Sequence, residues 1–321
     1  MIGTSISSEK QTIWQVINNY YLLTKPRIIP LLLITTTASM FMAGKGEVDS
    51  VTLILTLLGG TLAAASAQTF NCVYDRDIDY DMKRTRKRPI PSGKIKPLHA
   101  VIFGTVLGIL SFTILAVWVN LLSALLAISG IVFYMLIYTH WLKRHTTQNI
   151  VIGGAAGAIP PLVGWAAVTG DLTATPWVLF LIIFLWTPPH FWALALMISE
   201  DYAEVKVPML PVIEGSEATV KQIWIYTILT IVFSMTLIYP LGDAGLIYFL
   251  FAVISGVNFL VKGWQLKQEA DDKQLAKSMF KFSILYMMLL CTGLVIDSLS
   301  WSTQVNDLFS NQLMAWLQIF S

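Results

Sequence analysis

Nine stretches of this chain are apolar for about as long as a bilayer is thick. They lie near 28–44, 51–73, 98–118, 121–141, 148–169, 175–198, 223–240, 243–261 and 280–300. About 20 apolar residues cross the hydrocarbon core as a helix, the one open backbone form that satisfies its own N–H and C=O groups there. The first run is short. The 98–118 and 121–141 runs are joined by almost nothing, as are 223–240 and 243–261. The expectation is an all-α membrane protein of about nine transmembrane helices. Only 12% of the residues are charged, against about 25% in soluble domains, and the net charge of +2 gives no reason to expect nucleic acid as a partner.

The few cations orient such a bundle. Of the 21 Lys and Arg, all but Lys45 fall in the N-terminal segment or in loops after the even-numbered runs. Basic loops stay cytoplasmic, so the N-terminus is expected inside and the C-terminus outside. The first twelve residues have neither the apolar core of a secretory peptide nor the arginines of a mitochondrial transit peptide, which points to a bacterial cytoplasmic (inner) membrane, crossed many times. The division expected is a cytoplasmic tail over 1–24, a helical membrane domain over 25–300 and a tail over 301–321. That last tail alternates polar residues with Leu308, Phe309, Leu313, Trp316, Leu317 and Phe320. It reads either as an interfacial helix or as a partly ordered end. Cys72 and Cys291 are far apart in apolar surroundings, with no metal-knuckle or disulfide spacing.

Against this background "NCVYDRDIDYDMKRTRKRPIPSGK", residues 71–94, stands out. If the second span runs on as helix, Asn71, Asp75 and Asp79 share one face, a turn apart. Three oxygen ligands in a stripe suit a hard cation such as Mg²⁺. A calcium loop fails, because Tyr80 stands where Gly is needed and Arg86 where the bidentate Glu belongs. Solvated loop charge is the bland alternative. Arg84, Arg86, Lys87 and Arg88 follow the acids, and arginines beside a metal cradle a diphosphate. A second acidic group, "SEDYAEVKVPMLP", lies on the same side and holds Glu200, Asp201, Glu204 and Lys206. It reads either as a second metal stripe or as a structural loop. A diphosphate head that needs a membrane for its tail is a prenyl diphosphate.

The first stretch resembles the Asn-x-x-x-Asp-x-x-x-Asp signature of the UbiA superfamily of intramembrane prenyltransferases. With "GAIPPLVGW" at 157–165, "PHFWALA" at 189–195 and "EDYAEVKVPMLPV" at 200–212, the chain is similar to the protohaem IX farnesyltransferase (haem O synthase) family within it. The resemblance runs from about Lys25 to beyond the eighth span. It implies a central cavity and the transfer of a farnesyl group from farnesyl diphosphate to a vinyl carbon of haem B. Water adds at the neighbouring carbon, and haem O and diphosphate leave. It implies Mg²⁺ as cofactor, held by Asn71, Asp75, Asp79 and Asp201, with Glu204 beside Asp201. These five are the expected metal ligands, and the first four the expected catalytic residues. Arg84, Arg88, Lys206 and Tyr202 are expected to touch substrate. A haem A synthase or a terminal oxidase is the expected protein partner. Asp77, off the stripe on an ideal helix, is given a supporting role.

A haem substrate draws attention to the histidines. His190 follows Pro188 and Pro189 inside the sixth span, roughly two to three turns from Asp201. It reads either as an iron ligand or as a partner for carbonyls freed by the prolines. His140 and His145 flank Trp141, Lys143 and Arg144 at a membrane surface, suited to lipid headgroups or to haem propionates. His99 reads as a surface residue. The competing functions are a UbiA enzyme acting on a quinone precursor and a transporter. A transporter would gather its polar sites at the midplane rather than at one face.

Overall fold

The computed structural model describes residues 12–302. Among them there are helices and no strand. The 301–321 tail, apart from its first two residues, lies outside the described residues. Helix α1 (Ile13–Leu23) opens the described chain, followed by α2 (Ile29–Ala43), α3 (Ser50–Tyr74) and the short α4 (Arg76–Asp81). Then come α5 (Pro97–Trp118) and α6 (Leu121–Val132), which continues without a break as a π-helix over Phe133–Leu142. Helices α7 (Asn149–Thr169), α8 (Ala174–Met197), α9 (Ser199–Glu204) and α10 (Leu210–Ile213) precede α11 (Gly215–Met235), α12 (Leu246–Gln268) and α13 (Lys273–Ser298).

Eight of these are long and apolar enough to span a membrane: α3, α5, α6 with its π extension, α7, α8, α11, α12 and α13. This is a multi-pass membrane protein. The ninth expected span is α2, only 15 residues or about 22 Å, short of the roughly 30 Å core. It packs against α3, α7 and α13, and so closes a ring in which each long helix touches its chain neighbours. The segment expected as a tail, 1–24, carries α1. The sequence there has a capping box, Thr12 with Gln15, and an exposed apolar face of Ile13, Trp14, Ile17 and Tyr21.

Small residues let the backbones approach, as membrane helices require when lipid offers no hydrophobic drive. Ser66 Oγ donates to Gly104 O and Ser111 Oγ to Gly59 O, both at 2.7 Å, locking α3 to α5. At Gly164 a Cβ would stand 2.5 Å from Thr36 O, so only glycine admits α2 against α7 there. The abrupt α5–α6 turn works because Asn120 caps α6 through Ser123 N (2.8 Å) and donates to Ala166 O (2.6 Å).

The loops after α3, α6, α8 and α12 meet at one end. Lys143 reaches Asp75, Arg84 stands 3.7 Å from Asp201, and Lys273 bonds Glu200 at 2.8 Å. At the far end Asp297, the last acid of α13, accepts from the N–H groups of Gly245 (2.8 Å), Ile247 (3.3 Å) and Tyr248 (2.8 Å). These are the opening N–H groups of α12, which lack helical partners.

Candidate active site

The acid stripe is built across a joint. Helix α3 ends at Tyr74, Asp75 turns the chain (φ −84°, ψ 10°), and α4 begins at Arg76. The expected single helix is therefore two. The i→i−4 bonds nonetheless continue through the joint, Asp75 N to Asn71 O at 2.9 Å and Asp79 N to Asp75 O at 2.8 Å. Asn71, Asp75 and Asp79 thus keep one face. All three are buried, 2%, 1% and 4% exposed, and all line one cavity. Asp77 leaves that face. It is exposed and held by both terminal nitrogens of Arg144 at 2.6 and 2.8 Å. That guanidinium holds its carboxyl down at about 2.

Buried carboxylates need compensating charge, and each acid of the stripe has its own cation. Asp75 Oδ2 accepts from Lys143 Nζ and from Asn71 Nδ2 (2.8 Å). Asp75 Oδ1 is buried with no hydrogen-bond donor, and Arg144 Nη2 stands 3.7 Å from it. Asn71 Oδ1 accepts from Lys25 Nζ at 2.5 Å. Arg88 Nη1 bridges both oxygens of Asp79 at 2.7 and 2.8 Å. Among the described residues no three of His, Cys, Asp and Glu converge on one point. The stripe is a set of ion pairs rather than a ready-made acidic cage.

Lys25, Lys143, Arg84 and Arg88 all line the cavity. Lys25 and Lys143 carry no motif: the sequence offers Lys25 only as a marker of sidedness, and Lys143 as that or as a contact for headgroups or haem propionates, not as a partner of the acid stripe. Their one local signal is position, each within two or three residues of a span end on the acids' side. Burial lowers Lys25 from the ordinary lysine range. In the second block, Asp201 is half-buried against Arg84 and Tyr202 lines the cavity. Glu204 and Lys206 do not reach it. Helix α9 stops at Glu204, and the chain reverses through Lys206 at φ +54°, leaving both side chains exposed. The metal role expected of Glu204 and the substrate role expected of Lys206 find no geometric support.

From this rim the cavity, about 370 Å³, runs into the membrane region between α2, α3, α6, α7 and α8. Its walls are apolar or small, including Leu31, Leu32, Ala64, Gly157, Ile159 and Val163. Tyr134 and Tyr138 of the π-helix stack at 5.2 Å along one side. Deeper lies His190, clamped between Trp186 (4.4 Å between centroids) and Phe280 (4.6 Å). Its Nδ1 meets Ser283 Oγ at 2.7 Å, not a carbonyl freed by the prolines. His140 bonds the Tyr74 hydroxyl at 2.7 Å, His145 bonds Trp141 O at 2.5 Å, and His99 is exposed.

A family model described as UbiA prenyltransferase family matches residues 32–285. The protein named Protoheme IX farnesyltransferase from Picosynechococcus sp. is 65% identical over 98% of this chain and 99% of its own length. Its namesake from Gloeothece citriformis is 67% identical over 93% of each chain. Among solved structures, a digeranylgeranylglyceryl phosphate synthase superposes with a TM-score of 0.72 at 20% identity, covering 88% of this chain and 98% of that one. A UbiA homolog from Archaeoglobus fulgidus bound to DMAPP and Mg²⁺ gives 0.63 at 16%, covering 86% and 99%. Those identities speak to the fold; the family match and the close relatives speak to descent, and by both the chain belongs to the UbiA prenyltransferase family.

Proposed function

We propose that this chain transfers a farnesyl group from farnesyl diphosphate to a vinyl carbon of haem B, yielding haem O and diphosphate. One observation carries the reading: a single apolar cavity has two polar stations, an Asn/Asp/Lys/Arg rim and a buried imidazole deeper in. A prenyl diphosphate and a porphyrin divide their polarity in that way. The name shared by relatives at 65–67% identity supports the same acceptor.

The rim suits Mg²⁺. Its donors are hard oxygens, and Asp75 Oδ1 is a buried acceptor with no hydrogen-bond donor. Asn71, Asp75, Asp79 and Asp201 would hold the ion. Mg²⁺, when bound, supplies positive charge that favours departure of the diphosphate. Lys25, Lys143, Arg84 and Arg88 bind diphosphate oxygens at the same rim. Tyr202, its phenol raised by burial, stays a neutral donor there. The farnesyl C1–O bond breaks and its electron pair leaves on diphosphate. The terminal vinyl carbon bonds C1, water adds its oxygen at the neighbouring carbon, and a proton is released. Leu31, Leu32, Ile159 and Val163 hold the tail and keep water from C1 until that bond forms. His190 ligates the iron and turns the vinyl edge toward the rim.

The charged rim is read as facing the cytoplasm of a bacterial inner membrane, on the distribution of Lys and Arg. A reporter fused after Gly242 is then expected to read as external and one fused after Lys267 as cytoplasmic. The test of function is incubation of purified protein with haem B, farnesyl diphosphate and Mg²⁺. Haem O detected by mass is the expected result; prenylation of a phenolic quinone precursor with haem B untouched would overturn it.

A further inference from the structure

Beyond the residues already assigned, the surroundings of His190 decide which of its nitrogens is chemically available. Ser283, on α13, makes two contacts through one hydroxyl. Its Oγ donates to Phe280 O at 2.7 Å, and it meets His190 Nδ1 at 2.7 Å. A serine hydroxyl has one proton to give. With that proton on Phe280 O, the oxygen accepts from His190, so Nδ1 carries the imidazole proton. A neutral imidazole protonated at Nδ1 has its lone pair at Nε2. Among the described residues Nε2 has no hydrogen-bond partner, and the ring borders the cavity.

The same serine also fixes the ring plane. Trp186 Nε1 donates to Ser283 O at 2.8 Å, which pins the indole that stacks on one face of His190 (interplanar angle 16°). Phe280, one turn before Ser283, covers the other face at 23°. Tautomer and orientation are thus both set from a single turn of α13. This is the arrangement by which metal-binding imidazoles are aimed, with the distal nitrogen held by a partner so that the other presents its lone pair.

We propose that Ser283 is a positioning residue for the haem: it holds His190 as the Nδ1–H tautomer and so reserves Nε2 for the iron. This rests on the reading of His190 as the iron ligand, and the two are separable by experiment. In protein carrying ¹⁵N-labelled histidine, without haem, the His190 signals are identified by their loss in His190→Ala. The expected spectrum has Nδ1 protonated and Nε2 bare; an Nε2–H tautomer, or exchange between the two, overturns the proposal.

Titration with ferric haem B then follows for Ser283→Ala, Ser283→Thr and His190→Ala. Ser283→Ala is expected to weaken haem binding about tenfold, the usual scale for losing a partner behind a metal ligand, and to shift the haem absorbance bands. Ser283→Thr, which keeps the hydroxyl, retains the parent spectrum, and farnesyl diphosphate binding with Mg²⁺ is unchanged in all three. If His190→Ala loses the ligand bands while Ser283→Ala keeps them, His190 stands as ligand and the role of Ser283 falls. If His190→Ala binds haem as the parent does, the ligand reading itself fails. Should Ser283→Ala not fold, the tautomer of the unaltered protein still decides.

Discussion

Two buried aspartates, one at each end of the bundle, have opposite surroundings. Asp297 is 8% exposed and accepts from backbone N–H groups at the start of α12, those of Gly245, Ile247 and Tyr248 among them. Asp75 is 1% exposed and is balanced by side chains, Lys143, Asn71 and, at 3.7 Å, Arg144. Amide donors are part of the backbone and cannot be withdrawn without unwinding the helix they open. Lysine and arginine swing on flexible stems. The first aspartate is therefore a fastener, while the second has partners that can swing away, the surroundings that the proposed metal site needs. Buried charge alone does not distinguish the two; the nature of what neutralises it does.

The contrast can be broken most forcefully at the rim. Asp75→Asn keeps the shape and removes one anionic oxygen. Turnover is expected to fall about 100- to 1,000-fold, some 3–4 kcal/mol of barrier, with thermal unfolding in detergent near that of the parent. Activity within a few-fold at ordinary Mg²⁺ would remove Asp75 from the site. Asp297→Ala should do the reverse: a loss of about 2–3 kcal/mol of stability from stranded amides, with turnover per folded molecule intact. A parallel fall in specific activity would show that the two ends are coupled.

Two smaller changes sharpen the comparison. Gly157 faces the cavity, and a Cβ there would meet nothing within 4 Å. Gly157→Leu is expected to fold normally and lower turnover about tenfold by filling the space, an effect comparable to misplacing a substrate. Unchanged kinetics would mean that neither substrate uses that wall. Asp77, two residues from Asp75 but on the exposed side, gives the smallest effect. Its side chain is 59% exposed, so Asp77→Asn should cost less than about 1 kcal/mol. Its carboxyl is held at about 2, below the ordinary value. The stabilisation is therefore complete above about pH 4 and lost as pH falls through about 2. Melting curves between pH 5 and 8 should show no difference in slope between parent and variant.

The spans were legible because twenty-residue apolar runs have one solution in lipid, and each long helix lies within a few residues of its run, apart from the extra turns at the charged ends of α11, α12 and α13. The acid stripe was legible because i, i+4 spacing survives the joint at Asp75. What the chain order hides is pairing between distant segments. Lys25 is 46 residues from Asn71 and Lys143 is 68 from Asp75; each is a plain basic residue until the helices are packed. Ser283 is an unremarked serine in an apolar helix, 93 residues from the histidine it touches. Glu204 shares α9 with Asp201, as its spacing suggests, yet its side chain is exposed and lies outside the cavity lining, which spacing along the chain does not reveal.

The π-helical segment, Phe133–Leu142, has a consequence for editing this chain. Lys143 N bonds Tyr138 O, five residues back, at 2.9 Å. Tyr138 and Lys143 both reach the cavity; on an α-helix residues five apart would diverge by about 140°. One residue is in effect surplus to the α-helical count, and it is what aims the lysine at Asp75. Deleting a single residue between 133 and 137 would remove that surplus and let the segment relax to ordinary α-helix, in which Tyr138 and Lys143, still five apart, would diverge by about 140° and no longer share the cavity face. A shortening that leaves composition, hydropathy and length of the span almost untouched would point the lysine away from its carboxylate, so for this stretch the indel, not the substitution, is the sensitive mutation.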